Sequence, residues 1–132
     1  MTTFRGSRSQ LSVLLDHVTP TVLDPVEAMT VQIDLPPGDP GAAPHRHSGP
    51  VFGYVIEGEI VFELEGEPER VIPAGGAFWE PGGDVIHYQA ANNLSDRPSR
   101  FLAVMLCKPG EPMLTFVEAA ELEERKHLRA PR

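Results

Sequence analysis

Short strand-like runs, some alternating apolar and polar with a period of two and others almost wholly apolar, are cut by glycine and proline along this chain. Met29, Val31, Ile33 and Leu35 alternate with Thr30, Gln32 and Asp34, the pattern of a strand with one buried face. The loop Pro36-Pro37-Gly38-Asp39-Pro40-Gly41 stops that strand. Val51 to Ile56 is almost wholly apolar and ends at Glu57-Gly58, a hairpin-type turn. Ile60, Phe62 and Leu64, alternating with Val61, Glu63 and Glu65, form the return strand. Glu65-Gly66-Glu67-Pro68 turns again before the short strand Arg70-Val71-Ile72, and Gly75-Gly76 turns before Ala77-Phe78-Trp79. Val85 to Ala91 and Phe101 to Cys107 supply two further strands, separated by the polar loop Asn92 to Ser99. Leu11 to Val18 reads as an extra strand with no assigned partner. Many short strands at regular spacing predict a β-sandwich or barrel.

The period changes near the end. From Val117 to Leu128 the residues are mainly Ala, Glu, Leu, Arg and Lys, with Val117, Ala120, Leu122 and Leu128 loosely at helical spacing and Glu121 four residues before Arg125. A short C-terminal helix is expected, lying on the barrel or across a subunit contact. No internal repeat or low-complexity tract interrupts the chain, so residues 1–132 read as one domain with a barrel core at about 29–107 and a helical segment at 117–128.

Composition narrows the function classes. A 41% hydrophobic content with 23% charged residues is that of a globular protein. The net charge of -8, spread along the chain, argues against nucleic acid or an anionic membrane as partner. The single cysteine, Cys107, lies in an apolar run and reads as a buried, inert thiol. Met1 to Gln10 is polar, Leu11 to Leu15 is too short for a signal-peptide core, and no run approaches a membrane span, so a cytoplasmic protein is expected.

The candidate chemistry lies in three histidines. His45 and His47, one residue apart, follow the proline-glycine loop, and His87 comes forty residues after His47. On an extended segment an H-x-H pair presents both rings to one face. A later strand folding back beside it brings a third ring to the same point. Three neutral nitrogen donors suit a borderline divalent metal with positions left open for a ligand.

The stretch Pro44-His45-Arg46-His47-Ser48-Gly49-Pro50, continuing to Tyr54-Val55-Ile56-Glu57-Gly58-Glu59, resembles the first motif of the cupin superfamily. The stretch from Gly75 through Pro81-Gly82-Gly83 and His87 to Asn92 resembles the second. Together they cover roughly residues 29 to 107. The resemblance implies an all-β fold, a double-stranded antiparallel β-barrel of jelly-roll type, often dimeric, holding a metal ion such as Fe, Zn, Ni, Mn or Cu on His45, His47 and His87.

The chain departs from the family pattern at two places. The glutamate ligand of the first motif would fall at position 51, which is Val51. The second motif carries three residues rather than two between Gly83 and His87, and four rather than three between His87 and Asn92, a difference that a loop can absorb. The metal site therefore reads as three histidines without a carboxylate. Gln89 shares the parity of His87, so its side chain is expected beside the metal or at the barrel mouth. Val51, Phe52 and Tyr54 join it as tentative pocket residues, while Phe78, Trp79 and Tyr88 read mainly as core or dimer-contact residues. Glu80, before Pro81, reads as a turn residue, and Asp84 as a stabiliser of its own turn. The run Glu57, Glu59, Glu63, Glu65, Glu67 and Glu69 reads as a solvated face. His17 and His127 have no partners by spacing.

No nucleophile motif or phosphate loop is present; the paired glycines lack the lysine and the strand-to-helix context. Three functions stay open. The first is a metal-dependent enzyme, dioxygenase-like or isomerase-like, on a small organic substrate; its oxygenase form predicts O₂ consumption with a 1,3-diketone, a flavonol or a thiol. The second is a module that binds a small molecule without transforming it. The third is a barrel in which the histidines only stabilise.

Overall fold

The structure is a computed structural model that describes residues 2–3, 8 and 10–132. Eleven strands and one short helix account for the regular structure of the described residues. In chain order these are β1 (Thr2–Thr3), β2 (Gln10–Leu11), β3 (Glu27–Leu35), β4 (His45–Arg46), β5 (Val51–Glu57), β6 (Glu59–Leu64), β7 (Arg70–Pro73), β8 (Ala77–Glu80), β9 (His87–Asn92), β10 (Ser99–Cys107) and β11 (Thr115–Phe116). Helix α1 (Ala119–Arg125) runs into a 3₁₀ turn at Lys126–Leu128.

Two antiparallel sheets form the barrel. One has the order β3-β10-β5-β8, the other β11-β4-β9-β6-β7. Their inner faces meet around Leu35, Val55, Ile60, Phe62, Leu64, Ile72, Phe78 and Phe101, all buried. These are the apolar positions of the period-two pattern, which is why the expected strands appear where the alternation places them. This is the jelly-roll barrel expected from the motifs, with the C-terminal helix added.

Packing sets some details that pattern alone does not show. Gly53 points inward on β5, and the ring of its cross-strand partner Phe78 lies over it; a β-carbon there would come within 2.0 Å of that ring. Glycine at position 53 thus makes room for a large aromatic in the barrel. Asn92 is buried and acts as a hub at the opposite end. Its amide donates to the carbonyls of Pro36 and Arg97, both at 2.9 Å, and its oxygen accepts from the Ser99 hydroxyl at 2.7 Å. It thereby holds three chain crossings together.

Some expectations change. Of the stretch Leu11 to Val18, only Leu11 lies in a strand, the short one paired with β1, and Val13 and Leu14 remain exposed with no apolar face to cover them. The C-terminal segment is helical at Ala119–Arg125 and lies on the barrel. It is held by charge: Arg125 binds Glu65 and Asp84, and Arg129 binds Glu63. The expected solvated glutamate face is therefore partly covered, and Glu63 is only 1% exposed. Asp84 reaches beyond its own turn to Arg125 on the helix.

Candidate metal centre

The site is built from two cross-strand pairs facing each other across the barrel. On the five-stranded sheet, His45 of β4 is the direct partner of His87 of β9. On the four-stranded sheet, Val51 of β5 is the direct partner of Glu80 of β8. His47 follows β4 and completes the group. Its carbonyl accepts from the Gly83 amide at 2.8 Å, which ties the Pro81-Gly82-Gly83 turn to it. Gly82 sits against the Gly49 backbone at positive φ, and a β-carbon would lie 2.0 Å from the Gly49 oxygen, so only glycine fits there.

His45, His47 and His87 are all buried, and the nitrogen atoms they offer lie within 4.8 Å of one another. Each ring is oriented by a main-chain carbonyl. His45 Nδ1 donates to Ala43 at 2.7 Å, His47 Nδ1 donates to Met113 at 2.9 Å, and His87 Nε2 donates to Gln89 at 2.7 Å. A carbonyl only accepts, so these bonds place a proton on the outward nitrogen of each ring. In the neutral ring, the form that binds a metal, the inward nitrogens, Nε2 of His45 and His47 and Nδ1 of His87, carry free lone pairs. Carbonyl-anchored imidazoles with converging free nitrogens are the donor arrangement that metal-binding histidines need. The residues present therefore fit a divalent ion.

Electrostatics favours the same protonation state at His45. Burial, aided by the two neighbouring rings, lowers its pKa to about 4, against the pull of the Ala43 carbonyl and Glu80. The ring is neutral at physiological pH, as a ligand must be.

Glu80 is the residue that the local sequence did not reveal. It is 4% exposed rather than on a turn surface, because β8 extends through it and alternation turns it inward with Phe78. Its carboxylate stands 3.1 Å from His87 Nδ1 and 3.6 Å from His47 Nε2. Burial acts to raise its pKa, but the contact with His87, and the positive charge the three rings would carry if protonated, act against burial and hold it below the ordinary carboxylate value. The usable signal was its position two residues after Phe78, on the same face of the strand.

Gln89 is not in the cavity. β9 carries a bulge: Glu63 pairs with Gln89 and Leu64 with His87, leaving Tyr88 unpaired. One extra residue reverses the parity, so Gln89 faces outward and donates to Glu63 at 2.8 Å and Glu69 at 2.7 Å. The bulge also takes up the extra residue between His87 and Asn92, which was expected in a loop. Of the other tentative pocket residues, Val51 lines the cavity, Phe52 stacks on Trp79 outside it, and Tyr54 is exposed on the same outer face. His127 is exposed.

Beside the three rings lies a cavity of about 240 Å³. Its walls are Val31, Ile33, Leu35, Ala103, Met105 and further apolar side chains; among the described residues, Gln32 is the only polar one lining it apart from the histidines and Glu80, and no lysine or arginine does.

The described barrel has counterparts among known proteins. A family model for the cupin domain matches residues 31–105, more than half of the chain. The chain belongs to the cupin family. No curated protein matches this cupin. Among solved structures, an RmlC-like cupin from Shewanella frigidimarina is 25% identical, with a TM-score of 0.52, over 64% of this chain and 69% of its own. A predicted oxalate decarboxylase from Thermotoga maritima is 28% identical, with a TM-score of 0.50, over 61% of this chain and 66% of its own. An oxalate oxidase with bound glycolate is 24% identical with a TM-score of 0.57, a likeness of fold; 68% of this cupin matches 46% of that chain, so the cupin spans less than half of its length. Among the described residues no helix is long and apolar enough to cross a membrane.

Proposed function

We propose that this cupin is a metal-dependent enzyme acting on a small organic molecule in the barrel, with His45, His47 and His87 as metal ligands. The observation that carries the reading is the convergence of three anchored imidazoles, each with a free nitrogen, beside an apolar cavity. A bound ion of the iron, zinc, nickel, manganese or copper class would supply Lewis-acid polarisation of a substrate oxygen or, for iron, redox chemistry with O₂. The chain's own residues hold that ion, and the apolar walls keep water from the reacting group.

The cavity limits the substrate. At about 240 Å³ it lies below the ~300–1,000 Å³ of clefts that take drug-sized ligands. A 1,3-diketone or a small thiol suits it better than a three-ring flavonol. Among the described residues no cationic wall residue is available to pair with an acid group, so any negative charge on the substrate faces the metal. The name of the Thermotoga maritima neighbour makes small carboxylic acids the second class to test.

A non-catalytic binding role is the alternative, favoured by the absence, among the described residues, of a wall lysine, tyrosine or serine that could relay a proton. The deciding experiment is elemental analysis of wild type and His47→Ala, followed by O₂ uptake and product analysis with the wild-type metal restored. Near-stoichiometric metal lost in the mutant, with turnover of one of these compounds, supports the enzyme. Metal without turnover, and a ligand recovered unchanged, supports the binding module. No metal in wild type after reconstitution sinks both readings.

The protein is further proposed to be a cytoplasmic homodimer. The outer face of the four-stranded sheet supports the dimer: it presents Phe52, Tyr54, Ile56, Trp79, Leu102 and Val104, of which Tyr54, Ile56 and Val104 are exposed. The lone cysteine is buried and unpaired, which suits a reducing compartment.

A further inference from the structure

Position 51, where the family pattern places a ligand glutamate, holds a valine, yet the site does not lack a carboxylate. The direct cross-strand partner of Val51 is Glu80, whose side chain enters the same space from the neighbouring strand. We propose that Glu80 is the fourth protein ligand of the metal, a carboxylate moved across one strand of the sheet from position 51 to position 80. The inference rests on the metal-binding reading above and adds a ligand to it.

Three observations support it. The first is distance: donors each ~2.1 Å from one ion stand ~3.0 Å apart at a right angle and ~3.4 Å apart at the tetrahedral angle. The separations of 3.1 Å from His87 and 3.6 Å from His47 fall around these values. The second is the lone-pair arrangement. His87 already commits its Nε2 proton to the Gln89 carbonyl, so a neutral ring turns a bare Nδ1 toward the carboxylate. Nδ1 is buried and has no hydrogen-bond partner, since the 3.1 Å contact does not meet hydrogen-bond geometry. Two acceptors facing each other at contact distance call for a cation between them. The third is burial: a carboxylate that is 4% exposed, with no arginine or lysine of the described residues bound to it, needs another positive partner.

The consequence is chemical. Three neutral imidazoles and one carboxylate leave a divalent ion with a net charge of about +1, which one carboxylate, enolate or thiolate neutralises. A dianion would leave the cavity with an excess negative charge that no wall residue offsets. Monoanionic ligands are therefore the preferred class.

The test is Co(II) binding to chelator-stripped protein, measured by competition with a chromophoric chelator and by the visible d–d spectrum. Wild type, Glu80→Gln, Glu80→Val and the exchange variant Val51→Glu/Glu80→Val are compared, with circular dichroism to confirm folding. The expected result is more than ~100-fold weaker binding in Glu80→Gln, a changed spectrum, and binding restored to within about tenfold of wild type by the exchange. Loss of a residue that only orients a ligand typically costs 10- to 100-fold. A loss within that range with an unchanged spectrum overturns the proposal and makes Glu80 an orienting group. If Glu80→Gln does not fold, the comparison of exchange with Glu80→Val decides: equal affinities overturn the proposal. Wild type that binds no Co(II) refutes the metal-binding reading itself, a separate outcome.

Discussion

His45 and His87 are direct cross-strand partners on β4 and β9, with ring centroids 4.9 Å apart. Partners on one face of an antiparallel pair have β-carbons about 5 Å apart, so the pairing alone brings the two rings together. Alanine at either position should remove a ligand without disturbing the other anchored rings. We expect wild type to retain about one equivalent of metal after dialysis, and His45→Ala and His87→Ala to retain under a tenth, since losing a ligand outright should exceed the 10- to 100-fold cost of losing its supporting bond. Retention of full occupancy in His87→Ala, by elemental analysis, would remove that ring from the site.

The depressed pKa of His45 gives the metal-free protein a pH dependence with a definite sign. Above the ordinary value of 6.5 the ring is neutral in both folded and unfolded chains and contributes nothing. Between 6.5 and about 4 the unfolded chain takes up a proton that the folded chain refuses, so stability falls as pH falls. Below about 4 both states are protonated and the loss is complete. At ~1.4 kcal/mol per pH unit, reduced by water reaching the cavity, a loss of roughly 1–2 kcal/mol is expected. Urea unfolding of chelator-treated protein at pH 7 and pH 4.5 measures it, and His45→Gln should flatten the slope in this window.

The orientation of Gln89 separates pocket from surface. Gln89→Ala should leave metal content and ligand affinity unchanged and cost about 1 kcal/mol through its lost bonds to Glu63 and Glu69. Ala103 lines the cavity and is 2% exposed. Ala103→Leu should keep the metal and weaken ligand binding at least tenfold by filling the space. Calorimetric titration of both variants distinguishes them; weakened ligand binding in Gln89→Ala contradicts the outward placement.

Glu63 accepts from Arg129 at 2.7 Å and from Arg132 at 3.0 Å, under a single layer of C-terminal chain. Arg129 also lies over the Tyr88 ring, 4.2 Å from its centroid. Removing Arg129 leaves a covered carboxylate with less compensation. Exposed pairs contribute about 0–1 kcal/mol, and breaking fully buried ones costs about 3–5 kcal/mol. For Arg129→Ala we expect about 2 kcal/mol in thermal or urea unfolding, partly restored in Glu63→Gln/Arg129→Ala. No change would mean that the C-terminal segment does not hold this sheet.

The proposed dimer predicts an effect far from the site. Val104 is 38% exposed in the middle of the outer sheet face, with Phe52 beside it. Val104→Lys should convert a dimer of about twice the 14.4 kDa chain mass to a monomer, with metal content retained. Light scattering at micromolar concentration checks both, and a monomeric wild type refutes the dimer.

Much of this protein follows from local pattern. Alternation over Met29 to Leu35 and Ile60 to Glu65 determines strands with one buried face, because side-chain direction repeats every two residues and burial rewards only one phase, while Val51 to Ile56 and Phe101 to Cys107 read as strands because they are short apolar runs bounded by turn signals. The same parity puts His45 and His47 on one side, and the motif order makes His87 their companion. Parity carries an assignment only as far as the strand stays regular. At Tyr88 a bulge breaks it, and Gln89 turns outward to a glutamate whose covering arginines lie some sixty residues further along the chain. Glu80 escapes local pattern for the complementary reason. Beside Pro81 it resembles a turn residue, and only the pairing of β8 with β5 shows that it faces the histidines from across the barrel. The strands were legible in the sequence because they depend on neighbours along the chain, and the barrel and the three histidines because two motifs in order resemble the cupin pattern. Tertiary structure alone decided which carboxylate meets the rings and which glutamates are covered, since these depend on the register between strands that are distant in sequence.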